Sequence, residues 1–261
     1  MRIILVRHYK TVGNAANTII GWTDSPPADG WQADMTYVIG QLNKANITFD
    51  SAYTSRLARA RKTGEFYAHT LEIQHQWSSA ALNEINYGKM SKKNKQWVEQ
   101  HVPWHKTDPT RVYPGGESFL HMQRRSVSYI EWLGRKHRRA NILVVAHAGV
   151  IRALVCHFLQ LNYAANLKRK IGHRYIGDFT IENGRCLQYQ ERGVPSGFLS
   201  GQIINNPWRP PLPQDTVRAT TGDCAGADRT QGLSLAARHE GLSDRKVLRT
   251  LVPLRIEPNA P

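Results

Sequence analysis

The sequence predicts an α/β fold, a doubly wound and mostly parallel sheet with helices on both faces. Short apolar runs suited to buried strands begin at Ile3 and at Ile142, and they are too short to be core helices. A helical pattern follows each run, so the two halves of residues 1–200 repeat the same order. This alternation is typical of a parallel sheet that is covered on both sides.

The first half of the chain alternates strand and helix twice. Ile3–Val6 is a continuous apolar run, as expected of a strand buried on both faces. Trp31–Ala45 carries its apolar residues on one helical stripe. Phe49–Tyr53 predicts a second strand and Arg56–His69 a second helix.

The second half repeats the pattern. Ser118–His137 has apolar residues mostly at helical spacing, Ile142–Val145 is strongly apolar, and Gly149–Leu161 has the composition of a buried helix. These segments predict a helix, a strand and a helix in turn. Together with the first half they define one catalytic domain over residues 1–200.

Residues 201–261 differ in composition. Four prolines arrive together and are followed by a stretch rich in Gly, Thr, Asp and Arg with weak periodicity. The prolines are Pro207, Pro210, Pro211 and Pro213. We expect this Pro- and Arg-containing tail to be an appendage that is largely disordered.

The remaining composition limits the class of protein. The three cysteines, Cys156, Cys186 and Cys224, form neither a disulfide framework nor a metal-binding pair, which favours a reducing compartment and a cytoplasmic location. No apolar stretch is long enough for a membrane span or a signal-peptide core. We therefore expect a soluble protein without a membrane partner.

The formal net charge is +15. Such a charge suits nucleic acid, anionic membranes or anionic small substrates. The basic runs Lys92–Lys95 and Arg135–Arg139 lack an accompanying nucleic-acid-binding motif, so we interpret both as solvated faces. A small anionic substrate is the favoured partner.

Two histidines stand where predicted strands end. Arg7 and His8 follow the first strand, and His147 follows the strand of the second half. Strand ends in a doubly wound sheet open into the crevice that binds ligands. Either histidine alone is a weak signal, but two such positions, with an arginine fork beside one of them, indicate an anion site.

A second group of candidates follows the second strand. Arg56, Arg59 and Arg61 lie near a predicted helix start, where side-chain charge and free N–H groups attract anions. They cannot all face one ligand, and spacing alone does not choose among them. Glu84 lies further along, in the segment Leu82–Gly88.

Five ordered motifs connect these segments: R-H-x-x-T-x-x-N from Arg7, S-x-L-x-R-A-x-x-T from Ser55, L-x-E-x-x-x-G from Leu82, P-G-G-E-S from Pro114 and H-x-G-V-I-R-A-L from His147. In this order they resemble the phosphoglycerate mutase-like branch of the histidine phosphatase superfamily, whose relatives include α-ribazole phosphatases and sugar-phosphate phosphatases. The resemblance covers roughly residues 1–190.

The resemblance implies a role for each candidate. His8 matches the nucleophile that becomes phosphohistidine, and Glu84 matches the acid that protonates the leaving group. Arg7, Arg59 and His147 match the phosphate pocket, and Asn14 a supporting phosphate contact. No role falls on Arg56 or Arg61, and the chemistry calls for no metal or cofactor.

The sequence departs from the family pattern beside the nucleophile. Tyr9 stands where Gly is usual, Lys10 replaces a common acidic or amide residue, and Lys89 begins a segment without the frequent W-E-G. These changes leave the phosphate pocket intact but bear on the substrate pocket. Tyr9 either adjusts the loop or covers part of the pocket.

Three functions follow from these observations. Only 29 residues separate Glu84 from Pro114, with no Arg-Arg pair between them, whereas the resemblance implies a longer insertion with paired arginines in cofactor-dependent mutases. We therefore favour a phosphatase that acts on a small phosphorylated metabolite. A phosphoglycerate mutase-type phosphotransferase is the alternative, and a basic binding module with little turnover is the second alternative.

Overall fold

The computed structural model describes residues 1–193, 201–202 and 255–256. Its strands are β1 (Arg2–Arg7), β2 (Ser51–Ser55), β3 (Gln76–Ser79), β4 (Asn141–Ala146), β5 (Ile176–Glu182), β6 (Arg185–Glu191), β7 (Gly201–Gln202) and β8 (Arg255–Ile256). Its α-helices are α1 (Val12–Ala15), α2 (Trp31–Lys44), α3 (Ala58–Thr70), α4 (Lys95–His101), α5 (Phe119–Lys136), α6 (Ala148–Phe158) and α7 (Tyr163–Asn166), and short 3-10 turns occupy Ala80–Leu82 and Gly88–Met90.

The strands form one mixed sheet in the order β7-β6-β5-β1-β4-β2-β3-β8. Strands β1, β4, β2 and β3 are parallel to one another, while β5 and β6 form an antiparallel hairpin beside β1. Parallel strands end at the same edge of a sheet. The carboxyl ends of β1 to β4 therefore open together into one crevice.

Helices cover both faces of this sheet. Ile3 and Leu5 of β1 belong to the core that α5 and α6 complete, whereas Ile4 and Val6 belong to the core that α2 and α3 complete. Alternate side chains of a strand point to opposite faces, so the two cores lie on opposite sides of β1. The predicted doubly wound α/β architecture is confirmed.

The predicted start of the second strand and second helix is two residues early. The strand is Ser51–Ser55, buried throughout although mostly Ser and Thr, so apolar periodicity could not locate it. The helix begins at Ala58 because side chains hold the preceding amides outside it. The Arg56 N–H donates to Asn83 Oδ1, and the Leu57 N–H donates to the Ser55 hydroxyl.

Sequence reasoning missed strands β3, β5 and β6. The β5–β6 hairpin turns at Asn183 and Gly184, with φ values of 50° and 74°. Asn-Gly favours such positive φ values in tight hairpin turns. The dipeptide therefore carried a turn signal that strand patterning alone overlooked.

The predicted tail lies mostly outside the described residues. Within it, Gly201–Gln202 pairs with β6 and Arg255–Ile256 pairs with β3. The prediction that residues 201–261 are largely disordered concerns the remainder and stays a prediction. Within the described part of the chain, none of the helices has the length and apolar character needed to cross a membrane.

Candidate active site

The two strand-end histidines face each other across neighbouring strands. Arg7 pairs in register with Ala146 between β1 and β4, so His8 and His147 are the next residue on each strand. The His8 N–H donates to the Ala146 carbonyl at 3.0 Å, and the two imidazole centroids are 5.0 Å apart. Parallel pairing thus brings together residues that are distant in sequence.

His8 is held as a neutral imidazole with a defined tautomer. The side chain is buried, and its Nδ1 lies 2.6 Å from the Tyr9 carbonyl oxygen. A carbonyl only accepts, so Nδ1 carries the proton and Nε2 keeps its lone pair. Burial first, and then the charges of Arg59, His147 and Arg7, hold the His8 pKa well below its usual 6.5.

Two arginines border this imidazole. Arg7 donates from Nη1 to the Ile171 carbonyl at 2.5 Å. Arg59 donates from Nη2 to the Gly21 carbonyl at 2.6 Å and from Nη1 to the Thr23 carbonyl at 3.0 Å. Burial lowers the pKa of Arg7 to about 10 and that of Arg59 to about 10, while the nearby Glu84 carboxylate raises both pKa values. Both guanidinium groups are therefore charged at neutral pH.

The structure separates Arg59 from its neighbours in the sequence. Arg59 is 2% exposed, whereas Arg56 and Arg61 are exposed. The helix starts at Ala58, and this start turns Arg59 towards the sheet. Sequence spacing could not choose among the three arginines, but only Arg59 is buried in the structure.

His147 is the N-cap of α6 and is fully buried. Its Nε2 lies 2.6 Å from the Ser55 hydroxyl oxygen, and that oxygen also accepts the Leu57 N–H. Burial, with the charges of Arg59 and Arg7 after it, holds the His147 pKa well below its usual value. This imidazole is neutral near pH 7.

Three buried nitrogens at this place have no hydrogen-bond partner within the described residues. They are Arg7 Nε, Arg59 Nε and His147 Nδ1. A buried polar group without a partner costs about 1–3 kcal/mol, so such groups are rare in folded proteins. Their gathering around His8 is the pattern expected where an anion binds.

The Glu84 side chain lies against the first turn of α6, at Gly149. Its carboxylate accepts the Ile85 N–H at 3.0 Å and the Gly149 N–H at 3.2 Å. Its backbone carbonyl accepts the Trp22 indole N–H at 2.5 Å and an Arg125 N–H at 3.0 Å. The side chain is half-buried and fixed from several elements.

Asn14 occupies a different setting from the other candidates. It lies in the short helix α1, where the Thr11 N–H donates to Asn14 Oδ1 at 3.2 Å and the Thr11 hydroxyl accepts the Asn14 N–H. Its side chain thus closes a capping box shortly after His8. The amide nitrogen takes no part in this cap, and its contact with phosphate stays a prediction.

Tyr9 is a buried core residue next to His8. It is 4% exposed and packs in the core under α2 and α3, with its ring centroid 5.2 Å from that of Trp31. The Tyr9 N–H donates to the Thr63 hydroxyl at 3.0 Å. The residue therefore anchors the loop after β1 to the core.

Sequence reasoning missed three polar residues around the site. His173 donates from Nδ1 to the His8 carbonyl at 2.8 Å. Arg152 donates to the Arg169 carbonyl and has its pKa lowered by burial and raised by Tyr87 and Glu84. Lys95 of α4 has its pKa lowered by burial and then by the charge of Arg7. Arg152 lies within the fifth motif, and Lys95 ends the basic run that was interpreted as a solvated face although it is half-buried here. His173 carries no sequence signal.

No group of three or more His, Cys, Asp or Glu side chains suited to a metal ion occurs among the described residues.

Comparison with known proteins places this chain in one class. Residues 3–188 match the profile of the histidine phosphatase superfamily (branch 1), and the chain belongs to this superfamily. Its members are enzymes, either phosphatases or mutases.

Similar sequences are named 2,3-bisphosphoglycerate-dependent phosphoglycerate mutase. One, from Bartonella tribocorum, is 34% identical over 172 residues, which are 61% of this chain and 82% of the relative. Another, from Afipia carboxidovorans, is 32% identical over 200 residues, 69% of this chain and 95% of the relative.

Some of the similar solved structures are phosphatases by name. A putative α-ribazole-5'-P phosphatase from Escherichia coli has a TM-score of 0.63 at 21% identity, over 79% of this chain and 98% of that one. A mycobacterial glucosyl-3-phosphoglycerate phosphatase has a TM-score of 0.62 at 19% identity, over 74% of this chain and 97% of that one. At these identities the likeness concerns the fold.

Proposed function

We propose that this protein is a phosphatase that hydrolyses a small phosphorylated metabolite through a phosphohistidine intermediate on His8. One observation carries the proposal. The free Nε2 of a neutral, buried His8 lies among Arg7, Arg59 and His147, each of which has a buried nitrogen without a partner in the described chain. A nucleophile surrounded by unsatisfied nitrogens suits a phosphoryl group.

The first step transfers the phosphoryl group to the enzyme. The Nε2 lone pair of His8 attacks phosphorus, an N–P bond forms, and the P–O bond to the leaving group breaks. Arg7 and Arg59 stabilise the negative charge that is spread over the phosphoryl oxygens. The proton stays on His8 Nδ1, which donates to the Tyr9 carbonyl. This hydrogen bond keeps the imidazole in a fixed orientation while Nε2 attacks.

Glu84 handles the proton in both steps. It gives a proton to the leaving oxygen in the first step and becomes a carboxylate. Water then attacks the phosphohistidine, Glu84 takes a proton from that water, the N–P bond breaks and inorganic phosphate leaves. His8 returns to its neutral form, and Glu84 is again protonated for the next cycle.

The preference for water as acceptor rests on the segment after Glu84. A mutase must hold the dephosphorylated intermediate while it reorients, whereas a phosphatase only has to admit water. The short stretch up to Pro114, with α4 inside it, lacks an Arg-Arg pair that would grip a second acidic group. Less retention of the product favours hydrolysis.

A mutase-type phosphotransferase is the second candidate. The relatives at 34% and 32% identity bear that name. Burial and then the charge of Arg7 lower the Lys95 pKa, while the charge of Glu84 raises it, so a further cation lies near the two arginines. A substrate with a second acidic group could be retained by such a cation.

The deciding experiment measures both reactions on the same preparation. Phosphate release is assayed over a panel of phosphorylated metabolites, and 3-phosphoglycerate mutase activity is assayed beside it with and without 2,3-bisphosphoglycerate. We expect phosphate release from at least one metabolite to exceed mutase turnover. Mutase turnover that dominates and depends on the bisphosphate would support the second candidate.

The same preparation tests the binding-module alternative. Salt-dependent binding to duplex or single-stranded nucleic acid, without phosphate release from any metabolite, would favour a basic binding module over an enzyme.

A further inference from the structure

The strongest feature that the proposed function leaves unused is a third imidazole at the site. His173 precedes β5, and its ring centroid is 5.6 Å from that of His8. Its Nδ1 lies 2.8 Å from the His8 carbonyl oxygen. We propose that His173 is a positioning residue, which orients the nucleophilic His8 by holding this carbonyl; this role rests on the proposed phosphohistidine chemistry.

The peptide group between His8 and Tyr9 is held at both ends. Its carbonyl accepts from His173 Nδ1, and its N–H donates to the Thr63 hydroxyl at 3.0 Å. Both ends of this one peptide group are therefore held by side chains from other elements. Rotation of the group about its flanking bonds would break both hydrogen bonds.

The orientation of this peptide group sets the direction of the next carbonyl group, that of Tyr9. The Tyr9 carbonyl accepts the Nδ1 proton of His8 at 2.6 Å, and this hydrogen bond aims His8 Nε2 at the pocket. Loss of the His173 contact leaves the first peptide group with only its hydrogen bond to Thr63, so the peptide group and the Tyr9 carbonyl are held less firmly. His173 thus acts on the nucleophile through the backbone and does not touch the phosphorus.

The segment that carries His173 is tied to the site a second time. The carbonyl of Ile171 accepts Nη1 of Arg7, so residues 171–173 contact both members of the Arg7–His8 pair. The intervening Gly172 would meet nothing within 4 Å if it carried a Cβ. A substitution at 172 can therefore serve as a control for changes to this loop.

The charge state of His173 agrees with this geometry. The His8 carbonyl can only accept, so His173 Nδ1 must carry a proton. Burial and then the charge of Arg7 lower the His173 pKa to about 3. His173 is thus a neutral donor near pH 7 and holds the carbonyl without placing another charge beside Arg7.

The test uses three substitutions of His173 in the full chain. His173→Asn keeps an amide N–H near the position of Nδ1, His173→Gln moves the amide towards the position of Nε2, and His173→Leu removes the donor. Gly172→Ala is the matched loop control. Unfolding midpoints establish that each variant is folded.

The readout is the first-turnover burst of p-nitrophenolate from p-nitrophenyl phosphate, because this leaving group needs no proton from Glu84. We expect His173→Gln and His173→Leu to slow the burst about tenfold, the effect of about one hydrogen bond. His173→Asn and Gly172→Ala should keep a rate near that of the wild type. The Kd for inorganic phosphate should change less than the burst rate in all four variants.

Two results would overturn the proposal in distinguishable ways. The positioning role would be ruled out if His173→Leu left the burst rate unchanged, or if His173→Asn and His173→Gln slowed it equally. Neither result would contradict the proposed phosphatase function. If His173→Leu does not fold, the Asn and Gln pair decides. A wild-type protein with no burst and no acid-labile phosphoprotein would remove the proposed function and this role with it.

Discussion

The carboxylate of Glu84 lies directly against the backbone of Gly149. The Gly149 N–H donates to Glu84 Oε2 at 3.2 Å, and a Cβ at position 149 would stand 2.2 Å from Glu84 Oε1. The start of helix α6 therefore both holds the carboxylate and leaves room for it. Because His147 caps the same helix, one helix start places the proposed acid next to the proposed phosphate pocket.

Gly149→Ala should displace the Glu84 carboxylate because the new methyl group overlaps it. We expect turnover of alkyl phosphates to fall about tenfold to a hundredfold, as for a misplacement of about 1 Å. Steady-state kinetics with an alkyl phosphate measure this loss. Gly40→Ala is the control, since Gly40 lies in helix α2 with nothing within 4 Å of its Cβ position. Equal activity of the two variants would contradict the prediction.

Glu84→Gln should slow hydrolysis in proportion to the leaving group's need for a proton. We expect a loss of roughly 10²- to 10⁴-fold for alkyl phosphates. The loss for p-nitrophenyl phosphate should be much smaller, because p-nitrophenolate leaves without protonation. Comparison of kcat/KM for the two substrates checks this, and equal losses on both would remove Glu84 from the role of general acid.

His8→Ala should abolish the acid-labile phosphoenzyme and lower turnover on the order of a thousandfold or more. The reason is that the proposed N–P bond forms on His8 Nε2, whose orientation is fixed by the hydrogen bond from Nδ1–H to the Tyr9 carbonyl. Rapid quench with a ³²P-labelled substrate measures the intermediate. His69→Ala, an exposed histidine near the end of helix α3, is the control. Near-full activity of His8→Ala would refute the nucleophile assignment.

Arg59→Lys should weaken binding of inorganic phosphate although it keeps the positive charge. The substitution loses the planar fork that contacts the Gly21 and Thr23 carbonyls and leaves one fewer donor for the anion. We expect the Kd to rise about tenfold or more. Arg61→Lys, two residues along the same helix and exposed, should leave the Kd unchanged. Isothermal titration calorimetry measures both values, and equal Kd values would contradict a role for Arg59.

Acid should destabilise the fold through its buried imidazoles. Burial lowers the pKa of His8 well below 6.5, so the unfolded chain binds a proton that the folded chain rejects as the pH falls below 6.5. The stability that neutral His8 contributes is present above pH 6.5 and is lost as the pH falls. Between pH 7 and pH 5 this loss amounts to about 2 kcal/mol for one fully buried histidine.

Urea unfolding of the wild type and of His8→Asn at both pH values measures this loss. The variant should lose less unfolding free energy on acidification than the wild type does. Identical pH dependence in the two proteins would show that protonation of His8 is not coupled to unfolding.

The central strands of the sheet could be predicted from the sequence because buried strands are continuous apolar runs. Strands β1 and β4 are continuous apolar runs, and the histidines that follow them mark the crevice. Strand β2 was misplaced because its buried positions hold Ser and Thr, whose hydrogen bonds replace apolar burial. Arg59 could not be separated from Arg56 and Arg61, since that choice depends on where helix α3 begins.

His173 could not be found from the sequence for a different reason. Its contact with His8 joins residues 165 positions apart and belongs to no motif. Only the antiparallel addition of β5 beside β1 brings the loop before β5 to the nucleophile. A residue whose role depends on a single long-range hydrogen bond has no recognisable pattern in the sequence around it.

The distance between His8 and His147 is set by the backbone of the sheet. Their imidazole centroids are 5.0 Å apart, close to the 4.7–4.9 Å that separates hydrogen-bonded strands in any sheet. The spacing of the two imidazoles in the proposed anion pocket therefore follows from the backbone pairing between β1 and β4. The surrounding loops can therefore change to suit different substrates while the spacing of the two imidazoles stays the same.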